Sequence, residues 1–359
     1  MHRLRPLLPP AALLMAALSC LIAAGPARAG QAPFGRIGTI QVPGNPLESF
    51  DIGFVNDRGI YVLSDRSNGG LDFFSASKDR FIGRVTGFER GAGPNGVLAI
   101  GRDEFWAGDG DSTVKVVNLR TRKVIASIST GGRRRADEMT YDPRDHLVAA
   151  VNNDDDPPFV TFISTRTRKV LGRLELTQAT GGAEQPLWNP SSGYLYLSIP
   201  VLDHQKAHGA IAVIDPRSRR LVKLLPVTRC MPAGLVLGPH GDMLVACSDD
   251  AISAGFAARS FVINASGKVI ARIPIGGSDE AWSEPRAGLY LLAAVANPGG
   301  PVLGVVNART NRLTAILPTG PHAHSVAADG RTGRVFVPIA PGGTQAGCAR
   351  GCIAVFGPR

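Results

Sequence analysis

Aromatic residues make up only 6 % of this 359-residue chain, and no stretch sustains the apolar spacing of a long helix. Both absences argue against a helical bundle and against paired α/β domains. No Cys-x-x-Cys-His occurs, which excludes covalent haem attachment of the c type. No Gly-x-Ser-x-Gly occurs either, which removes the strained serine elbow of the α/β hydrolases. After the first 29 residues no linker or shift in composition divides the chain. What is abundant is Gly, at 43, and Pro, at 27, the residues that punctuate turns. The balance favours an all-β body of many short strands.

Residues 1–29 read as a signal peptide. Arg3 and Arg5 form a charged start, Ala11 to Ala24 is apolar apart from Ser19 and Cys20, and Ala27-Arg28-Ala29 is a small-x-small cleavage site. The run is too short and too Pro-flanked to span a membrane comfortably. Cys20 fits a lipid-anchor signal poorly after Ala17-Leu18-Ser19. A periplasmic or secreted monomer is expected, and loss of Arg3, Arg5 and Arg28 lowers the formal charge from +10 to +7. Four cysteines remain, and an oxidising compartment makes disulfides the default. Cys348 and Cys352 can close a small loop, and Cys230 and Cys247 can meet at the ends of successive inner strands. The lesser alternative is a metal on Cys-x3-Cys, for which four ligands are not assembled.

One pattern returns seven times, at intervals of roughly 45 residues, the signature of a repeat architecture. A Gly- or Pro-rich turn runs into a polar residue, then into four or five mostly apolar ones. Arg135-Ala136-Asp137-Glu138-Met139 is the clearest copy. Others are Pro94-Asn95-Gly96, Ala183-Glu184-Gln185, Pro232-Ala233-Gly234, Ser278-Asp279-Glu280 and His322-Ala323-His324, with a looser Glu48-Ser49-Phe50-Asp51 before them all. Each copy leads into a second strand, a polar loop, a third strand, a tight basic turn and a fourth strand. Seven third strands but only six fourth strands follow in order. Arg36-Ile37-Gly38-Thr39-Ile40 has the missing pattern. The expected fold is therefore an all-β, seven-bladed β-propeller spanning residues 30–359, with four-stranded blades. Its last blade is closed by the N-terminal strand, which removes an exposed edge.

The third-strand, turn, fourth-strand cassette Ile211-Ala212-Val213-Ile214-Asp215-Pro216 to Arg220-Leu221-Val222 resembles the YVTN-type seven-bladed propellers of secreted and periplasmic proteins. Tyr61-Val62-Leu63-Ser64 and Phe336-Val337-Pro338-Ile339 are degraded forms of that signature. Pro94-Asn95-Gly96, Pro232-Ala233-Gly234 and His322-x-His324 give a slighter resemblance to metal-centred sugar-lactone hydrolases and virginiamycin B lyases, which also use the propeller axis.

In a propeller the first strand of each blade lines the central channel, so the seven polar positions meet at one mouth. Aligned copies superpose Asn95, Asp137, Glu184, Ala233, Asp279 and His324. Glu138 and Glu280 follow one residue later, and Glu48 or Asp51 serves the first blade. Strand alternation lets only one of each adjacent acidic pair face the axis. Clustered carboxylates repel unless a cation or raised pKa values relieve them. The expected cofactor is a divalent metal on Asp137, Glu184, Asp279 and Glu48, with Ca²⁺ or Mg²⁺ ahead of Zn²⁺. His324, Glu138 and Glu280 are the expected acid–base groups, and Arg135, Asn95 and His322 the substrate-binding ones. The expected substrate is a small polar or anionic molecule, hydrolysed or cleaved by elimination. The competing reading is a non-catalytic scaffold for a protein, polysaccharide or nucleic acid. Residues that merely cap crowded inner strands are a third reading.

The two faces differ in charge. The loops at the mouth are acidic: Asp109-Gly110-Asp111, Asp154–Asp156, which can also be read as a calcium loop, and Asp249-Asp250. His204-x3-His208 can reach over the mouth from the fourth blade. The opposite turns are basic, including Arg120, Lys123, Arg168, Lys169, Arg217, Arg219, Arg220 and Arg312, and offer a surface to an anionic partner.

Overall fold

A computed structural model describes Met1, His2 and residues 34–359; the stretch 1–29 read as a signal peptide lies outside the described residues, apart from its first two. Residues 34–359 form one compact unit of seven four-stranded antiparallel sheets. The innermost strands, from blade 1 to blade 7, are Gly53–Val55, Val97–Ile100, Met139–Asp142, Pro186–Asn189, Pro232–Leu237, Ala281–Glu284 and Ala327–Asp329. Each touches its neighbour around a circuit that returns from blade 7 to blade 1, so the ring is closed.

Closure comes as the strand count predicts. Phe34–Ile40 pairs antiparallel with Cys352–Pro358 and supplies the outer strand of blade 7. The first and last strands are thereby hydrogen-bonded, and the sheet ring has no open seam between its ends.

The core lies between blades. Tyr196 and Ile211 of blade 4 pack with Leu235 and Val245 of blade 5, and Tyr61 of blade 1 stacks on Phe336 of blade 7 at 4.7 Å. Second and third strands are buried on both faces because a neighbouring blade covers each. Outer strands are covered on one face only, and Lys123–Ser129 and Arg312–Pro318 accordingly alternate between exposed and half-buried positions. A fully buried Val, Leu, Ile or Phe is worth roughly 1.5–3 kcal/mol, so these blade-to-blade seams hold the ring.

Cys230 pairs with Cys247 and Cys348 with Cys352, both at bonding distance. No described helix is long and apolar enough to cross a membrane. Asp249-Asp250, expected as an acidic loop, instead opens a short helix, Asp249–Ser253. Ser248 caps it by accepting from Ala251 N–H, and its two first-turn acids face the positive end of the helix.

Candidate functional site

The polar repeat positions reach the axis through a bulge. Asp137 donates its N–H to the Val151 carbonyl, and Val151 donates back to the Glu138 carbonyl. Two residues thus oppose one, the bonding pattern of a β-bulge. The same exchange joins Asp51-Ile52 to Ser64, Asn95-Gly96 to Gly108, and Glu184-Gln185 to Ser198. A bulge suspends strand alternation, and this overturns the expectation that one of each acidic pair turns away. Asp137 and Glu138 both line the mouth cavity, and so does Asp279, while Glu280 lines a second cavity on the axis.

The same bonds identify the first blade's contribution as Asp51. Glu48 is exposed and lines neither axial cavity. It precedes the bulge by three residues, so it is removed from the expected ligand set.

The mouth cavity has a volume of about 320 Å³ and is walled by Asp51, Arg66, Arg135, Asp137, Glu138, Glu184, Asp249, Asp279, His322 and His324, with Ile52 and Val295. Its blade 1 side is an ordered network. Arg66 forms an ion pair with Asp51, and its Nε donates to Asn95 Oδ1 at 3.0 Å. Asn95 in turn donates to the Ala136 carbonyl at 2.9 Å. Asn95 is fully buried, so it positions Arg66 rather than meeting a ligand. His324 Nε2 lies 3.4 Å from Asp51 Oδ1, its Nδ1 lies 2.8 Å from the His322 carbonyl, and its ring stacks on Phe50. On blade 3, Arg135 bridges Asp137 at 3.0 Å and Asp154 at 3.4 Å. The carboxyls of Glu138, Glu184 and Asp279 have no hydrogen-bond or salt-bridge partner among the described residues.

Burial and mutual repulsion govern the charges. Burial raises Asp137 to about 7 despite Arg135, and Asp279 to about 6 despite His324. Glu138 and Glu184 rise well above the usual carboxyl range, first through burial and then through neighbouring acids. Glu280 rises for the same first reason, although Ser325 donates to it at 2.8 Å. Burial alone would lower His324, but the Asp51 carboxylate and Asp279 outweigh it and lift the imidazole to about 9. Burial would also raise Asp51, yet Arg66 and His324 hold it below its ordinary value.

Other expected features lie elsewhere. Arg135 lines the cavity, as expected, while its chain neighbours Arg133 and Arg134 do not. Asp155 accepts from the N–H groups of Arg133 and Arg134, and Asp154 pairs with Arg135, so turn bonding and ion pairing take up two of the three acids read as a calcium loop. His204 and His208 do not line the mouth. On the opposite face Arg168 pairs with Glu104 and Arg217 with Asp145, which partly neutralises the basic turns. Two wall residues escaped the sequence reading, Arg66 and Val295, and Asp249, expected only as part of an acidic loop on this face, reaches the wall from the start of the short helix. Position after a second strand, shared by Arg66 and Asp249, was the available signal.

Hard oxygen donors of the kind Ca²⁺ and Mg²⁺ prefer are present. However, among the described residues no three His, Cys, Asp or Glu groups come together as a metal site, and Arg66, Arg135 and a protonated His324 share the cavity. The donor chemistry suits an ion; the arrangement is not that of a formed site.

No protein family and no curated protein matches the chain. Solved structures do. Hydrazine synthase from Kuenenia stuttgartiensis is similar with a TM-score of 0.67 at 14 % identity, over 84 % of this chain and 96 % of that one. A chain in the crystal structure of the mitotic checkpoint complex is similar with a TM-score of 0.71 at 10 % identity, over 97 % and 98 %. At these identities the likeness shows the propeller fold alone.

Proposed function

We propose that the channel mouth binds a small polar molecule and acts on it by acid–base chemistry, as a hydrolase or lyase. The supporting observation is one cavity in which an imidazolium near 9 faces carboxyls that titrate near 6 and 7. Groups pushed apart in this way are suited to opposite proton-transfer roles at neutral pH. Asp279, ionised at neutral pH, takes the proton from water or from a substrate carbon. His324, oriented by Asp51, gives one to the leaving oxygen. Glu138 and Glu184, whose hold on a proton is strengthened by burial and by neighbouring acids and which have no protein partners, offer hydrogen bonds to substrate oxygens. Arg135 stands ready for a substrate carboxylate if Asp154 releases it, and His322 borders the entrance.

A divalent ion, Ca²⁺ or Mg²⁺ before Zn²⁺, would be held by ionised Asp137, Glu184 and Asp279 and would polarise a carbonyl oxygen, with Asp279 and Glu184 then serving as ligands in place of the proton-accepting and hydrogen-bonding roles they have without it. The resemblance to YVTN-type, lactonase and lyase propellers, and export to the periplasm or beyond, are in keeping with this reading.

The test is turnover of a panel of lactones, esters and elimination substrates against pH, for the wild type, Glu184→Gln and His324→Ala. A bell with limbs near 6 and 9 is expected, with a loss of about 100-fold or more in His324→Ala and a smaller loss in Glu184→Gln, whose amide keeps a hydrogen-bond donor. Unchanged turnover in both variants, or no turnover together with no ligand-induced thermal shift, overturns the proposal.

A non-catalytic scaffold is the second reading. It is favoured by the exposure of Arg120, Lys123, Lys169, Arg220 and Arg312 on the opposite face. Charge reversal at Arg217, Arg219 and Arg220 would then abolish binding to an anionic partner.

A further inference from the structure

Below the mouth the axis opens again into a cavity of about 300 Å³. The two share Ile52 and Glu138 as wall residues, so Glu138 stands at the neck between them. Inner strands of six blades wall the lower cavity, with Phe54, Leu98, Met139, Leu187, Val236 and Trp282 as its main apolar surfaces. Its polar groups are mostly engaged by the protein. Thr140 Oγ1 accepts from Trp188 N–H at 3.1 Å, and Ser283 donates to the Leu237 carbonyl at 2.9 Å. Gln185 accepts from Leu235 N–H at 2.6 Å and donates to the Ala281 carbonyl at 3.1 Å. Glu280 accepts from Ser325 at 2.8 Å. Of the wall side chains, Glu138 keeps a free carboxyl at the neck and Trp282 an indole N–H without a partner among the described residues.

With most of its polar side chains already engaged, the lower cavity offers a ligand chiefly its apolar side chains, apart from the Trp282 indole N–H and Glu138 at the neck. An apolar cavity of roughly 150 Å³ holds a benzene molecule, so this one has room for an aryl group or a medium alkyl chain. The mouth, by contrast, presents unpartnered carboxyls and an imidazolium. We propose that the axis is a two-compartment site whose ligand is amphipathic, with a polar head in the mouth and an aryl or alkyl group passed by Glu138 into the lower cavity. This names the substrate class for the proposed function and rests on that reading for its chemistry, though not for binding.

Binding is tested without turnover, by titrating the purified protein with straight-chain primary alcohols from butanol to octanol. Affinity should rise roughly fourfold per added methylene, the yield of burying one CH₂ group. Tryptophan emission should shift on binding, and the shift should be lost in Trp282→Phe. Filling the cavity with Leu98→Trp or Val236→Phe should flatten the chain-length dependence; whichever variant keeps the wild-type circular dichroism is the one used. Affinity that is independent of chain length, or that climbs equally in the filled variant, overturns the inference. Chain-length dependence without turnover of any substrate removes the proposed chemistry and leaves the amphipathic site standing. Turnover of wholly polar substrates without chain-length dependence does the reverse.

Discussion

His324 Nε2 and Asp51 Oδ1 lie 3.4 Å apart across 273 residues of chain. They come from the last and first blades, whose inner strands meet only because Phe34–Ile40 closes the ring on Cys352–Pro358. The central pair of the candidate site is therefore a product of ring closure, and loosening the N-terminal strand should weaken it.

His324 should titrate near 9 in the folded protein, against an ordinary 6.5. Its contribution to stability is then complete below about 6.5 and is lost as pH rises through about 9. Asp51→Asn should lower the imidazole pKa by a unit or more, read from the histidine ring resonances in an NMR titration. A value near 6.5 in the wild type would show that the dyad does not form in solution.

The raised carboxyls act in the same direction. A carboxyl whose folded pKa is raised favours the fold below its unfolded value and loses that contribution as pH climbs through the folded one. For Asp279 and Asp137 the loss runs from about 4 up to 6 and 7. Thermal unfolding should therefore occur at a lower temperature at about pH 8 than at about pH 5. Glu184→Gln should raise stability at the higher pH by on the order of 1 kcal/mol, by removing one member of the repelling set. Destabilisation by that change would contradict the charge picture.

Gly96 and Gly234 sit at the second bulge position in their blades, where a side chain has no room. A Cβ on Gly96 would lie 2.5 Å from Glu138 Cα and 2.6 Å from the Asp137 carbonyl oxygen, both backbone. Gly96→Ala should cost roughly 1–3 kcal/mol in urea unfolding and should disturb the Asp137-Glu138 segment along with it. A neutral substitution would mean that the first strands of blades 2 and 3 are less closely apposed.

The Cys230–Cys247 bridge supports the site from behind. The Cys247 carbonyl accepts from both Gly277 and Ser278 N–H at 3.0 Å, just before Asp279, and Asp249 follows two residues after Cys247. Cys230→Ser with Cys247→Ser should lose about 3 kcal/mol, the scale for a loop of this size. It should also increase hydrogen exchange at 277–279. Loss of stability without added exchange there would confine the bridge to a general structural role.

The architecture was written in the sequence. Repeated turn-and-strand units, counted against a missing fourth strand and a spare N-terminal one, are enough to predict seven blades and their closure. A repeat that cannot bury its own faces must stack on its neighbours. The repeat also marked Asp137, Glu184, Asp279 and His324 as residues of one mouth, because equivalent positions in equivalent blades meet at the axis. The tertiary structure decided the rest. The bulge turned both Asp137 and Glu138 into the channel, since alternation holds only where residues pair one to one. Asp51 rather than Glu48 serves blade 1, because backbone pairing sets the register where the sequence repeat is loose. Arg66 and Asp249 joined the mouth from positions just after second strands, outside the polar repeat position, and burial among the mouth groups, which no linear spacing encodes, raised the carboxyls of Asp137, Glu138, Glu184 and Asp279.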